Sequence, residues 1–436
     1  MFENIQSCHA LDMLLPNAVL ENAQILAVLK AIHRERSLIL FDVGMGKTYM
    51  ASAYIKMLLN DNPENRFIFL IKRLQNIQTP KEIERLTGVK VMSIGDAQAS
   101  TIKRMQENPN IANYRVLILT HDFLLSQTGI DFLYSIRELY TGIIVDEAHN
   151  LNNSRASKSG AILKAVCSNF KYRLGLTATP IVTGTKQLAR LANIFDPDTY
   201  PDVNKLTNDL LKSRFSISMD PEFFIEKSRK DMGIKEEIIG DVLWVDAQPN
   251  QCFTTGSKMH SLCKGEGAVN QALALVDFIS NHKGQKGLIY INEHKKREWV
   301  LPFLEQAGIT AVCLNGHTPD DVRMREQRRF NETSEIDVII TSLTESLNLD
   351  CEWVLFYEMT SNVQQMLGRA YRGLYDKKLY VYFMLTRNTG ESAYFVENVY
   401  KNAVEVQNSA NKRYTAVFDA YDKIIESGEY DETLGF

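Results

Sequence analysis

The stretch that decides the fold spans residues 37–59 and reads SLILFDVGMGKTYMASAYIKMLL. Its first part, SLILFDV, is a short apolar run of the kind that forms a buried strand. The glycine-rich segment at residues 44–48 follows, and the remaining residues have the pattern of a helix. A strand, a glycine-rich loop and a helix N-terminus in this order predict a phosphate-binding loop in a parallel α/β sheet.

The residue types in this loop suit the phosphates of a nucleotide. Glycines let main-chain N–H groups converge on phosphate oxygens, and the helix dipole favours the anion. Lys47 would reach the outer phosphates, and the hydroxyl of Thr48 would ligate Mg²⁺. The loop residues predicted to bind the nucleotide are Gly44, Met45, Gly46, Lys47, Thr48 and Tyr49. Phe41 stands where the usual pattern has a small residue, and a structural turn is the alternative interpretation.

Two adjacent carboxylates, Asp146 and Glu147, end a second apolar run in the sequence IIVDEAH at residues 143–149. We expect Asp146 to hold Mg²⁺ through its water shell, and Glu147 to orient and deprotonate the water that attacks the γ-phosphate. Two acids at a strand end could instead cap the next helix. Their position downstream of a phosphate loop favours the catalytic interpretation.

Positive charge for phosphoryl transfer is offered by the sequence QMLGRAYR at residues 365–372. Arg369 and Arg372 are three residues apart, so they would share one face of a helix. Arginines supplied across a cleft make hydrolysis depend on the closure of two domains. A solvated basic turn is the alternative. The predicted catalytic residues are Lys47, Asp146, Glu147, Gln365, Arg369 and Arg372.

The length of 436 residues exceeds what one hydrophobic core usually organises, so two α/β domains are expected. Strand-like apolar runs occur in two groups, and a stretch around residues 200–260 lacks them. The predicted segments are a first lobe at 1–205, a connector at 206–262, a second lobe at 263–405 and a C-terminal helical tail at 406–436.

The overall composition limits the classes of protein. A net charge of −4 gives no global basic field, so nucleic acid would have to bind in a local groove. The six cysteines form no CxxC pair, which fits reduced thiols in an intracellular protein. No apolar run approaches the length of a membrane helix, and the start MFENIQSCH lacks a signal peptide's basic region. We expect a protein of the cytoplasm, or of the nucleus in a eukaryote, neither secreted nor membrane-bound.

Four segments in order resemble the motifs of superfamily 2 helicases and translocases. They are GMGKT at 44–48, DEAH at 146–149, LTATP at 176–180 and QMLGRAYR at 365–372. Within this superfamily, LANIFDP at 191–197 and SRKD at 228–231 are similar to segments of the Swi/Snf-type DNA-dependent ATPases. The resemblance covers about residues 20–385. It implies two RecA-like parallel-sheet lobes of the P-loop NTPase class, in tandem with a connector, and ATP with Mg²⁺ as cofactors.

The resemblance also assigns further residues. Gln24 matches a glutamine that contacts adenine, and a surface glutamine on a helix is the alternative. Thr177 and Thr179 match hydroxyls that link the nucleotide site to the nucleic-acid groove. The positions that match nucleic-acid contacts are Lys72, Arg73, Thr120, His121, Asn292, Gly316, His317, Thr341 and Ser342. Ordinary loops at strand ends are the alternative for these positions.

Some features depart from the family pattern or leave it open. The segment SLNL at 346–349 lacks an expected glycine, and Lys72 replaces a usual proline. A run of arginines either follows a phosphate backbone or forms a solvated face with neighbouring acids. Its members are Arg323, Arg325, Arg328 and Arg329.

The expected function is ATP-dependent translocation along nucleic acid by a monomer, with duplex DNA as the first substrate. Protein partners are not indicated by the sequence. One alternative is an RNA or branched-DNA helicase of the same superfamily. Another is a non-catalytic module that binds nucleic acid or protein, whose mark would be the loss of Lys47, Glu147 or Arg372; all three are present.

Overall fold

The computed structural model describes most of the chain. The described residues are 15, 18–42, 44–75, 78–95, 113–152, 164, 167, 169–178, 185–213, 220–248, 267–342, 347, 349–360, 363–370, 376–410 and 414–430. The chain divides into two compact units: residues 1–233 with 409–411, and residues 234–408 with 412–436. Each unit is built on its own parallel β-sheet.

The first unit contains a seven-stranded sheet in the order β3-β4-β2-β5-β6-β1-β7, and all neighbouring strands are parallel. The central strands are buried along their whole length, which explains their continuous apolar runs. The strands are β1 (Arg36–Phe41), β2 (Phe67–Ile71), β3 (Val91–Gly95), β4 (Val116–Thr120), β5 (Gly142–Val145), β6 (Tyr172–Leu176) and β7 (Phe224–Lys227).

Helices and short 3₁₀ turns connect these strands. The helices are α1 (Asn22–Arg34), α2 (Lys47–Asp61), α3 (Gln78–Thr87), α4 (Gln127–Ile136), α5 (Lys186–Phe195) and α6 (Val203–Ser213). The 3₁₀ turns are Arg73–Gln75, Phe123–Leu125, Arg137–Leu139, Ala148–Asn152 and Lys230–Met232. Because all strands are parallel, the carboxyl ends of β1, β2, β4 and β5 lie at the same edge of the sheet. Open α/β sheets bind their ligands at this edge.

A buried carboxylate ties α5 to the start of the sheet. The side chain of Asp196 is fully buried, and its oxygens lie 2.8 Å from Arg34 and 3.0 Å from Arg36. Burial acts to raise the pKa of Asp196, but hydrogen bonds from Thr199 and Arg36 and the two arginine charges outweigh it, so the pKa is lowered. The Asp196 of LANIFDP therefore has a structural role in this unit.

The second unit contains a six-stranded sheet in the order β10-β11-β9-β12-β13-β8, again with parallel neighbours. Its strands are β8 (Glu236–Val245), β9 (Gly287–Tyr290), β10 (Ala311–Leu314), β11 (Val338–Thr341), β12 (Trp353–Phe356) and β13 (Lys377–Thr386). Its helices are α7 (Val269–Asn281), α8 (His294–Gln306), α9 (Asp320–Glu332), α10 (Val363–Ala370), α11 (Glu391–Tyr394), a π-helical turn (Phe395–Tyr400), α12 (Lys401–Ala410) and α13 (Thr415–Ser427).

The segment predicted as a connector, residues 206–262, contributes one strand to each sheet. β7 pairs with β1 in the first sheet, β8 pairs with β13 in the second, and the boundary between the units lies between Gly233 and Ile234. Both strands were missed in the sequence, because each lies at the edge of its sheet and mixes charged with apolar residues. Residues 214–219 and 249–262 of the predicted connector lie outside the described residues.

The last helix of the predicted tail, α13, belongs to the second unit. Helix α13 packs on β8, and a Cβ atom at Gly240 would lie 2.0 Å from the main-chain oxygen of Ala416. The Gly240 N–H donates to Asp419 over 3.0 Å. Only glycine permits this close approach. None of the helices in the described part of the chain combines the length and apolar composition needed to cross a membrane.

Candidate active site

The phosphate loop joins β1 to α2, as the sequence predicts. Gly44 and Gly46 have φ angles of 78° and 70°, a left-handed conformation that glycine adopts without steric cost. Gly46 is the N-cap of α2, so the helix begins at Lys47. Met45 is fully buried between the two glycines. The loop therefore has the backbone shape and the helix terminus that favour an anion.

Lys47 and Asp42 connect this loop to its surroundings. The Nζ atom of Lys47 donates to the main-chain oxygens of Phe41 and Asp42, each over 3.2 Å. The Oδ2 atom of Asp42 accepts a bond of 3.1 Å from the N–H of Arg229, which is 3% exposed. The SRKD segment therefore contacts the start of the phosphate loop, a role that the sequence analysis missed for both Asp42 and Arg229.

Gln24 packs against the same loop. Its Oε1 atom accepts from the N–H of Glu21, and its Nε2 atom donates to the main-chain oxygen of Met45, both over 2.8 Å. Its side chain is buried, which contradicts the alternative of a surface glutamine. An amide can make four hydrogen bonds, so these two contacts leave room for the predicted contact with adenine, which stays a prediction.

The two remaining loop residues lie at the start of α2. Thr48 is half-buried in its first turn, where its main-chain oxygen accepts from Ser52. Tyr49 is half-buried as well, and its hydroxyl accepts a 3.4 Å bond from Arg85. The role of the Thr48 hydroxyl as a Mg²⁺ ligand stays a prediction, and Tyr49 makes a contact on the side of α3.

Asp146 follows β5 directly and is held from three directions. Its Oδ1 atom accepts from the N–H of Glu147 over 2.9 Å, and its Oδ2 atom accepts from Gln75 over 3.4 Å. Its main-chain oxygen lies 2.8 Å from Nε2 of His121. Burial and the neighbouring charge of Glu147 raise the pKa of Asp146 to about 6, while the charge of Lys47 acts in the opposite direction. Lys47 follows β1 and Asp146 follows β5, two parallel strands separated by β6, so both residues belong to one site at the same edge of the sheet.

Glu147 has a strained backbone. Its φ of 47° is in the left-handed region, which is uncommon for a residue other than glycine, asparagine or aspartate and is concentrated at functional sites. The segment that follows, Ala148–Asn152, is a 3₁₀ turn, so no α-helix begins directly after the two acids. This conformation favours a catalytic role for the pair.

His149 links Glu147 to the segment after β6. Its Nδ1 atom lies 2.8 Å from the hydroxyl of Thr177 and 3.3 Å from the carboxylate of Glu147. Burial lowers the pKa of His149 and that of His121 to about 4, so both rings are neutral near pH 7. Thr177 thus contacts the carboxylate turn, its link to the nucleic-acid groove stays a prediction, and Thr179 lies outside the described residues.

The predicted nucleic-acid contacts of the first unit lie at the same sheet edge. Lys72 and Arg73 follow β2 directly, and Arg73 is exposed. Thr120 at the end of β4 is fully buried, and its hydroxyl accepts from the N–H of Phe123. The ring of His121 bonds to Asp146. Of these four residues, Lys72 and Arg73 have the charge to meet a phosphate backbone, while Thr120 and His121 make internal contacts.

A buried ion pair shapes the loop around Asn292 in the second unit. Glu358 and Lys296 are 5% and 1% exposed and form a direct ion pair. The same carboxylate accepts from the N–H groups of Asn292 and Glu293. Arg297 donates to the Asn292 main-chain oxygen over 2.7 Å. The side chain of Asn292 is exposed on this fixed loop.

The turn after β10 presents the next predicted contacts. Asn315 and Thr318 close it, because the N–H of Asn315 donates to the Thr318 hydroxyl over 2.9 Å. Gly316 and His317 are exposed at its tip. Thr341 is fully buried and its hydroxyl donates to the Leu314 main-chain oxygen over 2.7 Å, whereas Ser342 is half-buried. The side chain of Thr341 therefore serves the sheet.

The arginine run on α9 is paired within the helix and its flanks. Arg325 and Arg329 both bond to Glu326, and Arg328 lies 3.9 Å from Glu332. Arg323 is 4% exposed and donates to the Thr318 main-chain oxygen. These contacts favour the solvated, ion-paired face over a stripe along a phosphate backbone.

Two predicted catalytic residues of the second unit lie on α10, which contains Gln365 and Arg369. Arg372 lies outside the described residues, and so do Ser346 and Asn348 of the SLNL segment; Leu347 and Leu349 are fully buried. No group of three or more His, Cys, Asp or Glu side chains suited to a metal ion occurs in the described part of the chain. Mg²⁺ commonly binds through one or two carboxylates together with substrate phosphates, which fits Thr48 and Asp146.

Two family models match the chain. Residues 17–182 match the family described as type III restriction enzyme, res subunit. Residues 270–373 match the helicase conserved C-terminal domain. The first match contains the phosphate loop and the carboxylate turn, and the second contains α10.

Three curated proteins illustrate the similarity in sequence, and two of them carry the word helicase in their names. RNA polymerase-associated protein RapA of Proteus mirabilis (strain HI4320) is 24% identical over 184 residues, which cover 42% of this chain and 19% of that protein. Chromodomain-helicase-DNA-binding protein 1-like of Mus musculus is 26% identical over 178 residues, covering 40% and 19%. Uncharacterized ATP-dependent helicase YqhH of Bacillus subtilis (strain 168) is 20% identical over 426 residues, covering 80% and 72%. The chain thus spans about a fifth of the length of the first two relatives.

Among solved structures, the Sulfolobus solfataricus SWI2/SNF2 ATPase core in complex with dsDNA is 15% identical, with a TM-score of 0.43 and coverage of 94% of each chain. The predicted fold class is confirmed by the two parallel-sheet α/β units and the two domain matches. The predicted family is confirmed as well. The chain belongs to superfamily 2 of the helicases and translocases, and within it is similar to the proteins of Swi/Snf type.

Proposed function

We propose that this chain hydrolyses ATP and uses the energy to move along duplex DNA. The observation that carries this proposal is the arrangement of the first unit, where the phosphate loop and the strained carboxylate turn belong to one site. The charge of Lys47 acts on the pKa of Asp146, and Glu147 follows Asp146 with a φ of 47°. A general base and a phosphate cradle at one sheet edge are the parts that phosphoryl transfer needs.

Binding of the triphosphate is assigned to the loop between β1 and α2. The N–H groups at the start of α2 and the ammonium group of Lys47 meet the phosphate oxygens. Thr48 and Asp146 would hold Mg²⁺, which neutralises charge on the outer phosphates when it is bound. Gln24 supports the loop through Met45 and is proposed to contact the adenine.

Hydrolysis is assigned to Glu147. Its carboxylate orients a water molecule and takes a proton from it as the water oxygen bonds to the γ-phosphorus. The bond between the γ-phosphorus and the bridging oxygen breaks, so ADP and inorganic phosphate leave. His149, neutral near pH 7, lies beside this carboxylate and limits its orientations. Gln365, Arg369 and Arg372 are proposed on sequence grounds to contribute to this step.

The nucleic-acid partner is proposed from charge and from family. Lys72 and Arg73 at the end of β2, with the exposed Asn292, Gly316 and His317, are placed at strand ends of the two units. Contacts to phosphates carry no direct sequence information, so binding should be independent of sequence and sensitive to salt. Similarity to Swi/Snf-type proteins favours duplex DNA over RNA, and we propose that the chain acts as a monomer.

The test is ATP hydrolysis measured with no polynucleotide, duplex DNA, single-stranded DNA, forked DNA and RNA. Duplex DNA is expected to raise the rate most. Lys47→Ala is expected to abolish turnover, and Glu147→Gln should lower kcat by roughly 100-fold or more while nucleotide binding persists. Glu138→Gln is the matched control, because the side chain of Glu138 is 84% exposed and has no role in the proposed site.

The outcomes separate the candidate functions. Stimulation by RNA or forked DNA, without stimulation by linear duplex, would replace the duplex translocase with an unwinding helicase. No turnover under any of the five conditions, with nucleic acid or protein still bound, would indicate a binding module without catalysis.

A further inference from the structure

The conformation of Glu147 requires an explanation of its own. A φ of 47° at a residue with a side chain persists only where the surrounding structure fixes it. The peptide unit that sets this angle joins Asp146 to Glu147, and it includes the main-chain oxygen of Asp146. The φ angle of Glu147 is the rotation about its N–Cα bond relative to this peptide plane. A hydrogen bond to the Asp146 oxygen therefore fixes the plane from which that angle is measured.

His121 makes that hydrogen bond. Its Nε2 atom lies 2.8 Å from the main-chain oxygen of Asp146, and because a carbonyl oxygen only accepts, Nε2 carries the proton. The N–H of His121 donates to the oxygen of Ile71 over 2.9 Å, which anchors its backbone at the end of β2. Since β2 lies between β4 and β5, the ring reaches across the end of β2 to the carboxylate turn.

Other contacts fix the two sides of this peptide unit. The N–H of Asp146 donates to Leu70 over 2.9 Å, so Asp146 enters the turn from a strand that is held in the sheet. The oxygen of Glu147 accepts from the side chain of Asn150 over 2.7 Å. The peptide between them makes two contacts: its N–H donates to Oδ1 of Asp146 over 2.9 Å, and its oxygen accepts from His121, which lies on a different strand end. The orientation of this peptide directs the Glu147 side chain.

We infer that His121 is a positioning residue of the hydrolytic site. It holds the peptide between Asp146 and Glu147, keeps Glu147 in its left-handed conformation and thereby orients the Glu147 carboxylate. This inference rests on the proposed ATP hydrolysis. It assigns to His121 a different role from the nucleic-acid contact that its position in the family pattern implies. The two roles differ in what they predict, because a positioning residue affects turnover and a nucleic-acid contact affects binding of the polynucleotide.

The experiment compares His121→Gln, His121→Asn and His121→Phe with wild type. The longer glutamine side chain can place its amide nitrogen near the position of Nε2, whereas asparagine is too short to do so. We expect His121→Asn and His121→Phe to lower kcat for ATP on the order of 10- to 100-fold, with and without duplex DNA, and His121→Gln to recover most of it. The KM for ATP and the Kd for duplex DNA should stay within about twofold of wild type.

Two further measurements make the result decisive. Binding of a fluorescent ATP analogue with Mg²⁺ reports on the site without turnover, and thermal unfolding reports on the fold. His33→Gln and His33→Asn are the matched controls, because His33 is exposed on α1. Glutamine and asparagine are both polar, so their comparison remains informative even if the phenylalanine variant does not fold.

Two results would overturn the inference. Equal kcat values for the glutamine and asparagine variants would mean that the position of the donor does not matter. A weaker affinity for duplex DNA, with kcat unchanged at saturating DNA, would make His121 a nucleic-acid contact. Absence of turnover in wild type would instead defeat the proposed function, so the wild-type measurement separates the two failures.

Discussion

The Nε2 atom of Gln24 donates a hydrogen bond of 2.8 Å to the main-chain oxygen of Met45, the residue between the two glycines of the phosphate loop. A Cβ atom at Gly46 would lie 2.7 Å from the same nitrogen. The glutamine and the loop are therefore fitted to each other, and helix α1 supports the site through one side chain. This contact gives Gln24 a role in the shape of the loop as well as the role in adenine recognition that the resemblance implies.

Gln24→Ala tests how these two roles are divided. We expect the KM for ATP to rise about tenfold, because the buried oxygen of Met45 loses its donor and the loop loses its support. Steady-state hydrolysis of ATP and of GTP is the measurement. If Gln24 also contacts the adenine, the variant loses preference for ATP over GTP. If Gln24 only supports the loop, the KM values for ATP and GTP rise by the same factor. Gln306→Ala, at an exposed position on α8, should change neither. An unchanged KM for both nucleotides would contradict the supporting role.

The nucleotide site was largely predictable from sequence because its parts are local. The phosphate loop and the pair Asp146 and Glu147 each lie within a few consecutive residues, and each directly follows an apolar strand. The contacts that support these parts join distant residues: Gln24 and Met45 are 21 positions apart, and Asp42 and Arg229 are 187 apart. No short-range pattern contains such pairs, so only the fold could bring them together.

The division into units was harder to predict for a different physical reason. A continuous apolar run predicts a buried strand. An edge strand has one side without a neighbouring strand and tolerates polar residues, so its sequence gives a weaker signal. β8 contains Glu236, Glu237 and Asp241 and lies at the edge of its sheet, so its sequence resembled a linker. Buried polar residues were equally hard to predict, because the sequence around Glu358 does not indicate that this residue is buried in an ion pair with Lys296.

Asp196→Asn is expected to destabilise the first unit by roughly 2–4 kcal/mol near pH 7, because Arg34 and Arg36 lose the buried charge between them. The pKa of Asp196 is lowered in the folded protein. Its ionisation therefore contributes stability that is fully present above the unfolded pKa of about 3.9 and is lost as the pH falls through the lower folded value. Urea unfolding followed by far-UV circular dichroism at several pH values is the measurement, and the difference from wild type should shrink at the acid end.

The control for this prediction is Asp198→Asn. Asp198 also bonds to Arg36, over 2.7 Å, but its side chain is 74% exposed. An exposed ion pair contributes little, so the cost should stay below about 1 kcal/mol. Equal effects of the two substitutions would mean that burial does not set the strength of this network.

Glu358→Gln is expected to destabilise the second unit by about 3–5 kcal/mol, because the buried ammonium group of Lys296 loses its counter-charge. The three tryptophans, Trp244, Trp299 and Trp353, all lie in this unit, so tryptophan fluorescence follows its unfolding selectively. The substitution also disturbs the acceptor of the Asn292 and Glu293 N–H groups, so we expect weaker binding of duplex DNA under conditions where the unit stays folded.

Glu293→Gln is the matched control in the same loop. Glu293 lies 3.5 Å from Lys296 with 47% of its side chain exposed, and its loss should cost less than about 1 kcal/mol. If Glu358→Gln unfolds at the same urea concentration as wild type, the ion pair does not stabilise the unit as argued. If its fold is weakened and its affinity for DNA is unchanged, the loop at Asn292 is not part of the nucleic-acid interface.

Gln75→Ala tests whether the turn after β2 transmits polynucleotide binding to the site. Gln75 accepts from the N–H of Lys72 over 3.3 Å and donates to Asp146 over 3.4 Å, so it joins a predicted phosphate contact to a predicted Mg²⁺ ligand. Both bonds are long, and a small displacement of Lys72 would alter them. We expect the variant to lose stimulation of ATP hydrolysis by duplex DNA by roughly 3- to 10-fold, a larger factor than its loss of unstimulated rate.

Gln75→Glu should be more damaging than Gln75→Ala. It places a second carboxylate beside Asp146, and two like charges at that distance oppose the ionisation of one of them. The ratio of kcat with and without duplex DNA is the measurement for both variants, and Gln127→Ala, at an exposed position on α4, is the control in the same unit. If Gln75→Ala is stimulated by duplex DNA by the same factor as wild type, the bond from Gln75 to Asp146 does not couple DNA binding to hydrolysis. The next candidate for this coupling is the contact between His149 and Thr177, which at 2.8 Å is shorter than the 3.4 Å bond of Gln75.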